Sequence, residues 1–100
     1  MSLNYVILSG PLAQDSELRY SPSGKAALEF HLVLPDARNP EQTHLLRVIN
    51  RRETTAELQR QLRKGVQVVV EGQLHQKTYE VSGYKRTQPE IQLESLSILG

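Results

Sequence analysis

The sequence predicts an all-β fold, a five-stranded barrel with one helix between the third and fourth strands. Three observations predict it. Residues 62–74, LRKGVQVVVEGQL, pass from a helix end into a strongly alternating strand. Residues 25–34 place Ala26, Leu28, Phe30, Leu32 and Leu34 on one face. Turn signals at Ser21-Pro22-Ser23-Gly24 and at Ser82-Gly83 divide the other apolar runs into strand-length pieces.

Each element has a local reason. Residues 4–12 form the first strand, β-branched at Val6 and Ile7 and disturbed at Gly10 and Pro11 as at a bend or bulge. Residues 18–20 are read as its continuation. Residues 25–34 are the second strand, ended by Pro35, and residues 35–42 are a polar loop. In the third strand, residues 43–50, Leu46 and Val48 alternate against Leu45, Arg47, Ile49 and Arg51. A helix follows. Thr54 and Glu57 have capping-box spacing, and Leu58 and Leu62 lie one turn apart facing inward. Arg63 and Lys64 suit the negative end of the helix, and Gly65 suits the position just past it.

The fourth strand, residues 66–77, sets Val66, Val68, Val70 and Leu74 against Gln67, Glu71, Gln73 and His75, with Val69 the apolar exception. The last strand, residues 89–98, changes phase near Glu94. Ile91 and Leu93 alternate one way and Leu96 and Ile98 the other, which a bulge would explain. The order β-β-β-α-β-β is that of an OB-fold barrel. An α+β sheet with one covering helix is the alternative.

Composition excludes several classes. The chain has 100 residues, so residues 1–100 are read as a single domain, and 38% hydrophobic content supports a small core. Without cysteine there is no disulfide or thiolate metal site. No apolar run is long enough for a membrane span, and no secretory signal is recognisable, so a cytoplasmic location is expected. His31, His44 and His75 lack metal-ligand spacing, and Asp15 and Glu17 read as solvated loop charges. There is no phosphate-cradling glycine motif and no nucleophile elbow. The expectation is a protein that is not an enzyme and has no cofactor or metal. A net charge of +1 gives no bulk basic signature, so any nucleic-acid site must come from local placement of Lys and Arg.

Several segments resemble, in order, the bacterial single-stranded DNA-binding protein family. The opening carries Asn4, Val6, Leu8, Gly10 and Leu12 in an N-x-V-x-L-x-G-x-L pattern, then Arg19, Tyr20, Pro22 and Gly24 in R-Y-x-P-x-G. Arg47-Val48 matches the family's third strand, and residues 62–74 match its helix end and fourth strand. A primosomal replication protein is a related match. The resemblance implies an OB-fold that binds single-stranded DNA by stacking bases on aromatics beside a basic track, assembled as a homodimer or homotetramer through paired first strands. The chain departs from the family in three respects. It has no Trp: third-strand aromatic positions become Leu45 and Arg51, a loop aromatic becomes Arg38, and the fourth-strand aromatic persists as Tyr79. The loop after the second strand is short. The sequence ends at Gly100, without the linker and acidic tail through which the family recruits partners.

The residues expected to bind nucleic acid are Arg38, Arg47, Arg51, Lys77, Tyr79, Tyr84, Lys85 and Arg86. Arg38, Arg47, Arg51 and Lys77 would hold phosphates, and Tyr79 would stack a base. Tyr84, Lys85 and Arg86 would help from the last hairpin. For isolated arginines, and for a solvated hairpin, surface ion pairing is the ordinary alternative. Tyr20 is read as packing in the core or at the rim, or meeting DNA, Tyr5 as core or subunit interface, and Phe30 as core. The expected function is non-catalytic single-stranded DNA binding in replication, recombination or repair, with RNA as an open second ligand and replication proteins as candidate partners. A primosome-like interaction or assembly module with weak or no DNA binding is the alternative.

Overall fold

The computed structural model describes residues 2–52 and 56–99. Its elements are β1 (Val6–Pro11), β2 (Glu17–Tyr20), β3 (Ala26–Pro35), β4 (Thr43–Asn50), α1 (Ala56–Gln61), β5 (Gln67–Val81) and β6 (Tyr84–Leu99). The strands form one sheet in the order β1-β5-β6-β4-β3-β2. With a helix of only six residues, the all-β reading holds and the α+β alternative falls.

The strand count differs from the expected five because the first strand is broken in two. Between β1 and β2 the chain leaves the ladder. Leu12 makes a single bridge to Leu32, and its N–H donates to Val66 O at 3.0 Å. The Ala13 N–H donates to His31 O at 2.8 Å. Ser16 is buried, its N–H donating to Leu62 O and its Oγ to Gln59 O. The N-terminal segment therefore crosses from β5 to β3. Both ends of the sheet order come from this one bent path.

The core follows from strand alternation. Leu28, Phe30 and Leu32 of β3, Val48 of β4, Val68 and Val70 of β5, and Ile91 and Leu93 of β6 face inward with Leu12 and Leu62. Each such side chain contributes about 1.5–3 kcal/mol on full burial. Phe30 lies in this core as expected. Tyr5 does not: it is half exposed and hydrogen-bonded to Glu71. Leu62 ends the helical turn with its N–H on Leu58 O, and Gly65 follows at φ 86°, a conformation glycine adopts without strain. Thr54 of the expected capping box lies outside the described residues.

The expected bulge is present. Glu71 pairs with Ser95 but Gly72 pairs with Leu93, leaving Glu94 as the extra residue. The insertion lets Leu93 stay in the core while Leu96 and Ile98 meet Val70 and Val68. Beyond it, β5 and β6 pair without interruption to Val81 and Tyr84, a longer hairpin than its sequence pattern suggests. Ser82 and Gly83 close it at φ 52° and 81°, and the type I′ turn needs both positive. Asn4 continues the β1–β5 ladder with its side chain. Its amide donates to Leu74 O and accepts from Leu74 N–H, both at 2.8 Å.

Gly72 faces inward at the bulge with no room for a side chain. A Cβ there would run into the Gln92 carbonyl and stand 3.1 Å from Ile91 Cγ2. Gly72→Ala is expected to destabilise the fold by about 1–3 kcal/mol. In urea this would appear as a lower midpoint with an unchanged slope.

Candidate nucleic-acid interface

The faces of β3, β4 and β5 that turn away from the core carry the polar half of each alternation. Glu29 and His31 on β3 lie opposite Ile49 and Arg47 on β4. Arg47 in turn pairs with Glu90 of β6, and Glu90 with His75 of β5. His31, Arg47, Glu90 and His75 therefore form one row across four strands.

On this face an open groove of about 460 Å³ is lined by Arg19, Tyr20, Lys25, Ala27, Glu29, Arg47, Ile49, Arg51 and Lys77. The fold brings these together from distant segments. Arg19 and Tyr20 precede the Ser21–Gly24 turn and Lys25 follows it. The turn is closed by Ser21 N–H to Lys25 O at 2.9 Å and Gly24 N–H to Ser21 O at 2.8 Å. Arg51 stands one residue beyond β4, in phase with Arg47 and Ile49. Lys77 reaches the groove from β5, a strand that does not pair with β2.

Arg47, expected to hold a phosphate, is placed at the floor of the groove. Its side chain is 15% exposed and lies between two carboxylates. Nη2 donates to Glu29 Oε2 at 3.0 Å and Nη1 to Glu90 Oε2 at 2.9 Å. Nε stands 2.9 Å from Glu29 Oε1 as an ion contact without hydrogen-bond alignment. The Glu90 side chain is 1% exposed, and its Oε1 accepts from Gln92 Nε2 at 3.1 Å. Burial alone would raise the Glu29 carboxyl, but the Arg47 hydrogen bond and the charges of Arg47 and Arg19 outweigh it and hold Glu29 below the ordinary carboxylate range. Hydrogen bonding to Glu29 raises the Arg47 guanidinium against the opposing effect of burial.

The other expected residues divide by position. Lys77, Tyr79 and Val81 share a face, and so do their partners Gln88, Arg86 and Tyr84. Tyr79, Arg86 and Tyr84 thus continue the side of the hairpin on which Lys77 meets the groove. Tyr79 is moderately exposed and Tyr84 strongly so. Lys85 pairs with Glu80 and points to the opposite side, away from this track. Arg38 is in the β3–β4 loop, at the far end of β4 from Arg51, roughly 25 Å away along the strand. Asp36 braces that loop, accepting from Arg38 N–H at 2.7 Å and contacting His44 Nε2 at 2.8 Å. The Arg38 N–H first, and His44 after it, hold the Asp36 carboxyl below its ordinary value.

Sequence reasoning missed Arg19 and Lys25 as groove residues and left Tyr20 between two roles; it is exposed at the groove rim. Their common signal was the turn they flank. Asp15 and Glu17 serve as braces. Asp15 accepts from Lys64 N–H and pairs with Arg63, and Glu17 pairs with Arg19. Among the described residues, no group of three His, Cys, Asp or Glu is placed to hold a metal ion, and no helix is long and apolar enough to cross a membrane.

Two outcomes follow from the Arg47 cluster. Arg47→Ala leaves Glu29 and Glu90 without their shared cation and is expected to cost about 3 kcal/mol of stability. Arg51→Ala, with no carboxylate partner among the described residues, should stay within about 0.5 kcal/mol in the same urea titrations. The second outcome concerns pH. Glu29 has a folded pKa below its unfolded value, so its contribution is complete above about pH 4.3 and is lost as pH falls through the folded value. Thermal melts of Glu29→Gln should be flatter than wild type across that acid range.

The chain matches known proteins along nearly its whole length. The sequence profile of the Single-strand binding protein family matches residues 3–99. A single-stranded DNA-binding protein of Treponema pallidum (strain Nichols) is 30% identical over 103 residues, spanning 98% of this chain and 58% of that protein. One from Thermus aquaticus is 38% identical over 95 residues, spanning 91% of this chain and 36% of that protein. The chain thus spans less than two thirds of the length of the curated relatives it matches. A solved structure described as Plasmodium falciparum SSB complex with ssDNA superposes with a TM-score of 0.82 at 24% identity, covering 100% of this chain and 97% of that one. That likeness is one of fold, and it agrees with the OB-fold reading. With the family profile covering nearly every residue from the β1 edge to the end of β6, this chain belongs to the single-strand binding protein family.

Proposed function

We propose that this chain binds single-stranded DNA without catalysis, in replication, recombination or repair. One observation carries the reading: Lys77 lines the basic groove, and Tyr79 follows it on the same face of the same strand. Phosphate-binding cations and a stacking surface therefore lie side by side on a rigid sheet. Lys25, Arg51 and Lys77 hold the backbone, Tyr79 stacks a base, and Tyr84 and Arg86 extend the track along the hairpin. Arg38 offers a further cation beyond the other end of β4. Lys85 contributes at most to the long-range field, since its side of the hairpin faces away.

The chain pairs with a second copy through its first strand in this proposal. β1 stands at an end of the sheet order, and Ile7 and Tyr5 beside it are more than half and half exposed respectively. Pairing along residues 4–8 would cover an edge that otherwise invites aggregation. A homodimer or homotetramer acting in the cytoplasm, with replication proteins as partners, completes the reading.

A labelled oligothymidylate, a duplex of equal length and an RNA, each titrated at several salt concentrations, test it. Single-strand binding is expected to exceed duplex binding and to weaken steadily with salt. Tyr79→Ala should weaken it by about 1–3 kcal/mol, which is about 5- to 150-fold. No single-strand binding even at low salt would reject the proposal in favour of a protein-interaction module. Light scattering should report a mass at least twice that of the monomer.

A further inference from the structure

We infer that Arg47 meets a nucleobase rather than a phosphate, as the charge-compensated floor of the groove. The inference rests on the single-strand-binding reading and assigns what that groove's floor recognises.

Arg47 is the most enclosed cation of the groove, and its charge is answered within its own layer of side chains. Glu29 reaches it from β3 on one side and Glu90 from β6 on the other. A phosphate brought to Arg47 would face two carboxylates only slightly further off than the one guanidinium. Glu29 is shared with Arg19, so Arg19, Arg47, Glu29 and Glu90 together leave no net charge at Arg47 to draw a phosphate in. The neighbouring cations differ. Lys25, Arg51 and Lys77 pair with no carboxylate among the described residues. Phosphate attraction therefore belongs to these three.

The floor nevertheless keeps recognition capacity. A guanidinium carries five N–H donors on a rigid plane. Glu29 and Glu90 occupy its two flanks and fix that plane. The donors left over lie in a groove whose other floor residues, Ala27 and Ile49, are apolar. An uncharged acceptor beside an apolar surface is what an unpaired base presents, through its carbonyl oxygens, ring nitrogens and flat face. A sugar–phosphate backbone presents a charge instead.

Binding of two oligonucleotides of equal length separates the roles. One is oligothymidylate; the other carries abasic residues over its central stretch and keeps every phosphate. Arg51→Ala should weaken both by the same factor and reduce the slope of log affinity against log salt by about 0.7. Arg47→Met should weaken oligothymidylate about tenfold, leave the abasic strand within about twofold, and leave the salt slope unchanged. Because Arg47→Met strands two carboxylates, the triple variant Glu29→Gln, Arg47→Met, Glu90→Gln is measured beside it, and circular dichroism melts select the folded one. Glu90→Gln supplies the opposite arm. Removing one compensating charge should steepen the salt slope, as Arg47 gains attraction for phosphate. The inference is overturned if loss of Arg47 weakens both strands equally, lowers the salt slope as loss of Arg51 does, or changes neither affinity. Wild-type protein that fails to bind oligothymidylate would remove the function reading with it. Wild-type binding with any of the overturning Arg47 outcomes removes this inference alone.

Discussion

The sheet, which does not close on itself by strand pairing between β1 and β2, depends on a parallel seam three residue pairs long. Arg47, Val48 and Ile49 of β4 meet Glu90, Ile91 and Gln92 of β6 there, and among the described residues only the single Leu12–Leu32 bridge otherwise pairs the β1-β5-β6 part of the sheet with the β4-β3-β2 part. Parallel pairing is slightly weaker per residue than antiparallel, so a short parallel seam needs help from side chains. On the inner face Val48 and Ile91 are fully buried against each other's strands. On the outer face the Arg47–Glu90 ion pair spans the same junction. Such a pair adds little net stability over a well-packed apolar replacement, but it penalises alternatives. A slip of β6 by one residue would turn Glu90 toward the core and Ile91 toward solvent. The charge pair and the apolar pair thus enforce one register from opposite faces. That register sets where the long hairpin stands relative to β3 and β4, and with it the spacing of Lys77 from Arg51 across the groove.

The same ion pairs explain how a chain of net charge +1 presents a basic face. Carboxylates are spent on bracing. Glu17 and Glu29 hold Arg19, Glu29 and Glu90 hold Arg47, and Asp15 holds Arg63. The groove cations without a carboxylate partner among the described residues are Lys25, Arg51 and Lys77, and Arg86 lies further along the hairpin on the same side. Field strength at a site depends on where unmatched charges lie, not on the total. Whole-chain charge is therefore a poor guide to this surface.

Strands packed on one face were legible in the sequence, because burial imposes a period of two. That period placed Leu28, Phe30 and Leu32 inward and Arg47, Ile49 and Arg51 outward. The phase change located Glu94 as the bulged residue, because Leu93 and Leu96 both had to reach the core. The outer half of the hairpin was not legible. From His75 to Pro89 both faces meet solvent, so neither is selected to be apolar and no alternation marks the strands. The role of Arg47 was hidden for a different reason. Its partners lie 18 and 43 residues away, on two other strands, and only the register brings them to it. Arg19 and Lys25 were hidden in the same way: their nearness to Lys77 is a property of the barrel, not of any local pattern.

The absence of Trp shifts the balance of forces the surface can offer. Base stacking is limited to Tyr79, with Tyr84 and Tyr20 at exposed positions, whose rings give less stacking area than an indole. A Tyr held on a paired strand loses little freedom on binding, whereas one near a hairpin tip must be ordered first. Tyr79 is set in a paired strand, while Tyr84 adjoins the turn. The cations are divided similarly. Those beside the groove are anchored on strands or next to a hydrogen-bonded turn, and Arg86 rides on the hairpin. The groove end of the track is therefore the preorganised end. In the proposed reading, a single strand is held first by the Lys25, Arg51 and Lys77 cluster, with the hairpin adding contacts at an entropic cost. On that proposal, the interface gains more from each added cation near the groove than from each added aromatic near the tip, and its affinity is expected to follow ionic strength more closely than base identity.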